Sequence, residues 1–163
     1  MMITGKTLFA FVDTQDPFAP SLVAGEEQAG PILSLMESRS FSFLFLFYTQ
    51  RTRINALKTA HEVAQRHPTC KVVLNELPVS DREGVSSLVE ELSRRVNEAM
   101  EMSGDSKNHV CMSSGTTEMR AALFLLVAAG VLPATLLEVG SPAERRCPNF
   151  RWRLGDGSPA RFG

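Results

Sequence analysis

The chain predicts an α/β fold: a doubly wound, Rossmann-like, mainly parallel sheet with helices on both faces. Three observations carry that prediction. Short runs dense in Val, Leu or Phe have the composition of strands buried on both faces of a parallel sheet. Segments of helical period alternate with them, an order that produces right-handed βαβ crossovers. At 163 residues the chain is the size of one domain, long enough to bury roughly two-thirds of its unfolded surface.

Taken in order, a first strand is expected over 7–12, followed by a long loop rich in Pro and Gly over 13–30. Pro31 suits the first turn of a helix, where its fixed φ and missing N–H do no harm, and 32–38 then form a short helix. The apolar run 41–48 reads as a buried strand and is too short to cross a bilayer as a helix. Over 53–66, Ile54, Leu57 and Ala60 or Val63 share one face of a helix that Pro68 stops. A third strand is expected over 71–74. Ser80 and Glu83 have capping-box spacing ahead of Val85, Leu88, Leu92, Val96 and Ala99, which recur at helical period. A fourth strand over 109–112 leads into a helix over 118–129 that is apolar nearly all round, and so is expected to be buried, with Gly130 at its end. The fifth strand falls over 134–139. Beyond Pro142 no period survives: Arg145, Arg146, Arg151, Arg153 and Arg161 are interspersed with Pro, Gly and aromatics, so 143–163 reads as a solvated tail or as a linker.

A net charge of −1 argues against a broad footprint on a membrane or on long nucleic acid, which would need a clear basic excess, and leaves room for a small ligand in a local site. Cys70, Cys111 and Cys147 are odd in number and unpaired in spacing, which suits a reducing cytoplasm and gives no zinc pattern. No metal and no cofactor are expected. Asp13 to Asp16 follow the first apolar stretch where a signal peptide would need a small-residue cleavage site, so none is expected. His61, His67 and His109 fall on a helix flank, a helix end and a strand start, and no His/Asp/Ser arrangement follows from spacing.

The stretch Met112-Ser113-Ser114-Gly115-Thr116-Thr117-Glu118-Met119-Arg120 carries the chemistry. It joins an apolar strand to a helix through a turn of Ser, Gly and Thr. Backbone N–H groups point outward where a helix begins, the helix dipole favours an anion there, and a glycine allows close approach. The hydroxyls of Ser113, Ser114, Thr116 and Thr117 could add hydrogen bonds to phosphate or ribose. The same residue types are preferred helix N-caps, so a capped turn without a ligand is the plain alternative. With no Lys after Gly115 it is not a Walker A loop, and one glycine does not make a dinucleotide fingerprint. Doubly wound sheets bind ligands beyond the carboxyl ends of their strands, where the strand order reverses. With the common order 3-2-1-4-5 that point lies between the first and fourth strands, and the loops 13–16 and 113–117 follow those two.

At these residues the chain resembles a known family. The run from His109 to Leu123 looks like the S-x-G-T-x-x-M signature of the CARF domains, the CRISPR-associated Rossmann folds. Residues 132–139 resemble the strand that closes that fold, and Asp16-Pro17 is similar to the D-P in the first loop of many members. The likeness makes 1–142 a CARF-like domain. The sensor domain of the RNA-repair regulator RtcR is a more distant likeness.

The resemblance implies a cytoplasmic homodimer in type III CRISPR antiviral defence. It would bind a cyclic oligoadenylate, cyclic tetra-adenylate first, across its two-fold axis and switch on an effector domain beyond this chain. Implied ligand contacts are Asp13, Thr14 and Gln15 from one loop, Ser113, Ser114, Gly115, Thr116, Thr117 and Met119 from the other, and Arg51, with Arg53, at the edge. The plainer role of these two arginines is as solvated residues at a helix start, and Arg120 is expected to pair with Glu118 or Asp16. Many relatives have Lys where this chain has Thr117, so a lysine-based cleavage role does not transfer. The first alternative is a stand-alone ring nuclease in which a ribose 2′-OH attacks the adjacent phosphorus without metal. Thr14, Ser113 and Thr117 would then be catalytic through positioning and charge stabilisation. The second alternative is a regulatory domain for an RNA end or an ordinary nucleotide. A side chain at Gly115 is expected to block the ligand and leave the domain folded.

Overall fold

Successive residues of a strand point to opposite faces, so an apolar strand covered on both sides feeds two cores. The computed structural model, which describes residues 5–20, 25–78 and 84–139, is built on that principle. Its elements run β1 (Lys6–Phe11), β2 (Phe18–Pro20), β3 (Glu27–Ala29), α1 (Pro31–Ser38), β4 (Phe43–Tyr48), α2 (Arg53–Arg66), β5 (Lys71–Glu76), α3 (Gly84–Ser103), β6 (Lys107–Cys111), α4 (Thr117–Ala128) and β7 (Thr135–Leu137). Five strands pair in parallel in the order β5-β4-β1-β6-β7, which is the expected 3-2-1-4-5. The fold is a Rossmann-like α/β sheet.

On one face, Leu8, Ala10 and Val12 pack with Leu44, Leu46 and the apolar residues of α1 and α2. On the other, Phe9, Phe11, Phe45 and Phe47 pack under α3 and α4. Each such buried ring contributes about 1.5–3 kcal/mol. Phe9 opposes Phe45 in register, and their rings stack at 5.3 Å.

Several elements differ from the sequence expectation. The loop 13–30 holds a short antiparallel hairpin, β2 with β3, whose three-residue strands are too brief to show a period. Residue Pro31 does open α1, as expected. β5 runs two residues further than expected and, as an edge strand, leaves Leu74 exposed. β6 begins at Lys107, so His109 sits inside the strand, 7% exposed, where burial pushes its pKa down. His67, expected at a helix end, closes α2 through its backbone N–H, and its ring Nε2 is buried with no hydrogen-bond partner.

Two helices differ from the sequence reading, α2 in which face it buries and α4 in being only partly buried. In α2 the buried residues are Ala56, Thr59 and Val63, and Ile54 and Leu57 are 66% and 53% exposed. Ala56, Thr59 and Val63 form the face that packs on β4 and β5, and the larger Ile54 and Leu57 fall outside it. In α4, Met119, Ala122, Leu123 and Leu126 are buried, while Phe124 and Leu125 stand 50% and 48% exposed. Among the described residues the sheet and α3 cover the helix on one side, although its sequence is apolar all round. The residues Leu88, Leu92, Val96 and Ala99 of α3 are buried as their period predicts. The Ser80 and Glu83 capping box, Cys147 and the arginines of 143–163 lie outside the described residues. No described helix is long and apolar enough to cross a membrane, and no described group of His, Cys, Asp and Glu could hold a metal.

Candidate functional site

β1 and β6 are neighbours at the point where the sheet reverses, so the loops that leave them, 13–17 and 112–116, lie side by side. The loop 112–116 ends in a capped helix. Thr116 is extended at φ −71° and ψ 167°, and its Oγ1 accepts from Met119 N at 3.3 Å. Its own N–H donates to Met119 Sδ at 3.4 Å. The first residues of α4, Thr117 and Glu118, have N–H groups with no intrahelical acceptor, the feature that suits a helix start to an anion. Thr116 and Thr117 are exposed there, as are Thr14 and Gln15 on the adjoining loop. Four of the expected contact residues thus present polar side chains at one end of the sheet.

The other expected contacts are engaged in the protein itself. Ser113 Oγ accepts from Val139 N at 2.6 Å and donates to Val139 O at 3.3 Å, clasping the turn to the chain beyond β7. Ser114 is 1% exposed, and its hydroxyl donates to Asp16 Oδ2. Met119 is 6% exposed and lies beneath the turn. Asp13 accepts at Oδ1 from Thr14 N at 2.7 Å. Arg51 is exposed in the 3-10 turn Gln50–Thr52 after β4, and Arg53 pairs with Glu76 at the end of β5.

Gly115 differs from its expected role. It is buried, with φ +95°, and a Cβ there would stand 2.8 Å from the Cβ of Phe11 and 3.4 Å from that of Met119. The glycine is required by the left-handed backbone and by the core beneath, so a side chain would disturb the fold as well as any ligand. Arg120 pairs with neither Glu118 nor Asp16 among the described salt bridges, and its Nε is buried with no hydrogen-bond partner.

Sequence reasoning notes Asp16 in the D-P of the first loop but gives it no part in the site, and here the structure adds one. Asp16 is 1% exposed, and its carboxylate accepts from Asp13 N at 3.0 Å, from Ile32 N at 3.4 Å and from Ser114 Oγ. Burial pushes its pKa above the ordinary carboxylate value, and these hydrogen bonds oppose the shift in part. Its backbone oxygen accepts from Asn55 Nδ2 of α2 at 3.0 Å. Nothing local announces this role, because every partner except Asp13 is distant in the chain.

Three solved structures share the fold. Csm6 of Enterococcus italicus, bound to cyclic hexa-2′-fluoro-hexa-dAMP, superposes with a TM-score of 0.72 at 14% identity, over 85% of this chain and 34% of its own. Can2 of Sulfobacillus thermosulfidooxidans, in complex with cyclic tetra-adenylate, gives 0.56 at 12% identity, over 83% of this chain and 32% of its own. A type III CRISPR defence DNA nuclease activated by cyclic oligoadenylate gives 0.55 at 19% identity, over 85% and 19%. This chain therefore spans about a third or less of the length of these proteins. At these identities the likeness is one of fold, the Rossmann-like α/β sheet. A comparison with curated proteins finds no match. The sequence itself fits a narrower family, one whose model runs from Glu27, at the start of β3, through the turn and α4 to residue 154: the chain belongs to the RtcR family, the regulators of RNA terminal phosphate cyclase.

Proposed function

We propose that this chain is the ligand-sensing domain of an RtcR-type regulator and that it binds a phosphodiester on ribose at the loops 13–16 and 113–117. The observation that carries the reading is the exposed set Thr14, Gln15, Thr116 and Thr117 gathered at the switch point beside the start of α4. Two ligands offer that chemistry. The ligands bound to the fold neighbours Csm6 and Can2 support a cyclic oligoadenylate, with cyclic tetra-adenylate the first probe. Family membership supports an RNA end carrying a terminal phosphate, and the reaction class in the family's description, cyclisation of that phosphate, makes an RNA ending in 2′,3′-cyclic phosphate the probe. A cyclic oligoadenylate could be held by a homodimer, whose two copies of the turn would match a two-fold ligand. The exposed Phe124 and Leu125 on α4 supply apolar surface for such an interface.

Calorimetry with cyclic tetra-adenylate, cyclic hexa-adenylate, an RNA ending in 2′,3′-cyclic phosphate, the same RNA ending in 3′-OH, and ATP tests the reading. One of the first three should bind in preference to the last two. Equal or absent heat with all five would overturn it. Thr117→Val, which removes an exposed hydroxyl, should weaken the preferred ligand without loss of stability.

Cleavage of the ring is a further step of the same reading. The substrate's own 2′-OH would attack, so incubation of cyclic tetra-adenylate in EDTA should yield linear products ending in 2′,3′-cyclic phosphate. In that reaction Thr14 and Thr117 would touch the substrate and Ser113, clasped to Val139, would hold the turn. Intact ring after prolonged single-turnover incubation would leave sensing alone.

A further inference from the structure

The geometry points to Asp16 as a positioning residue of the proposed ligand site, one whose buried carboxylate fixes the phosphate turn against the loop after β1 and against the start of α1. The inference rests on the reading above and names what holds that site in shape. The hydrogen bond from Ser114 Oγ to Asp16 Oδ2 joins residues 98 apart in the chain. Among the described residues it is the one side-chain hydrogen bond between the two loops. The same carboxylate accepts the N–H groups of Asp13 and Ile32, so loop, turn and helix converge on two oxygen atoms. Thr14 and Gln15 follow Asp13 directly, and Thr116 and Thr117 lie two and three residues beyond Ser114. The spacing of the exposed groups is therefore set by this one junction.

Two further contacts make the junction stiff. The N-cap of α1, Gly30, packs so tightly that a Cβ would stand 2.0 Å from Gln15 O and 2.9 Å from Asp16 Oδ1. Asn55 of α2 donates to the backbone oxygen of Asp16. A buried carboxylate with three donors cannot swing out without leaving those donors unsatisfied, at a cost above that of an ordinary hydrogen bond. Asp16 and Ser114 would contact no ligand themselves, being buried, and would act through Thr14, Gln15, Thr116 and Thr117.

The test compares the whole chain with Ser114→Ala, with Asp16→Asn and with both. Asn offers one acceptor oxygen where Asp offers two, so Asp13 N–H or Ile32 N–H loses its partner. Amide hydrogen exchange without ligand should quicken by about tenfold or more over 13–16 in Ser114→Ala, although the substitution lies in the other loop. It should quicken likewise over 113–117 in Asp16→Asn. For whichever of cyclic tetra-adenylate or 2′,3′-cyclic-phosphate RNA binds the parent, affinity should fall about tenfold in each single variant. The double variant should be no weaker than the poorer single one, as expected when two residues act through one bond. Exchange confined to the substituted loop, or additive losses of affinity, would overturn the assignment. If neither of these probes nor cyclic hexa-adenylate binds the parent, the proposed function fails while the exchange result still decides whether Asp16 couples the loops. Should Ser114→Ala fail to fold, exchange in Asp16→Asn decides alone.

Discussion

Replacing Gly115 with alanine isolates what the turn requires of the core from what it offers a ligand. An L residue held at positive φ costs about 1–2 kcal/mol, and Gly115 has φ +95°. The added Cβ would lie 2.8 Å from Phe11 Cβ, in a strand held on both sides by neighbours, and 3.4 Å from Met119 Cβ. Overpacking of this kind costs about 1–3 kcal/mol. Alanine recovers about 0.4–1 kcal/mol by restricting the unfolded chain, so the net loss should be about 1–5 kcal/mol. Gly130→Ala is the control, because Gly130 also has positive φ, +76°, but nothing within 4 Å of its would-be Cβ. It should lose about 1 kcal/mol from the backbone alone. Urea unfolding followed by circular dichroism measures both. Equal losses in the two variants would refute the claim that Phe11 and Met119 crowd the turn, and a loss below about 0.5 kcal/mol at Gly115 would refute the backbone argument as well.

Three further outcomes follow from burial and titration. Leu123→Ala, at a fully buried position of α4, should cost about 2–5 kcal/mol, whereas Ile54→Ser, 66% exposed on α2, should stay within about 0.5 kcal/mol of the parent in the same unfolding assay. Burial pushes the thiols of Cys70 and Cys111 up to about 11 and about 12, so neither holds thiolate at pH 8. Peptide-resolved labelling with iodoacetamide should find both unmodified in the native chain and modified in denaturant. Because the pKa of Asp16 is raised on folding, chiefly by burial, with Asp13 adding repulsion, the folded chain holds that proton more tightly than the unfolded one. Its contribution to stability is full below the ordinary carboxylate range and is lost as pH rises through the raised value. Parent minus Asp16→Asn should therefore decline over that window, and a rise would contradict the direction of the shift.

The sequence by itself determined the fold class, the places of the five sheet strands and the position of the anion-type turn. Those features rest on local information: the apolar density of 41–48, the period of Leu88, Leu92, Val96 and Ala99, and the Ser-Gly-Thr composition between β6 and α4. Pro31 announced the start of α1 for the same reason, since a fixed φ and a missing N–H act on the spot. Tertiary structure decided what depends on distant partners. Ile54 and Leu57 are exposed because α2 packs on the sheet through Ala56, Thr59 and Val63 instead. Phe124 and Leu125 are exposed because α4 is covered on one side, a fact of layer number and not of hydrophobicity. Ser113 and Ser114 look alike in the sequence, yet one clasps Val139 and the other binds Asp16, and only the alignment of three strand ends brings those partners together. The hydrogen-bonding capacity of a hydroxyl is fixed by residue type, but which partner fills it is fixed by what the folded chain places within about 3 Å.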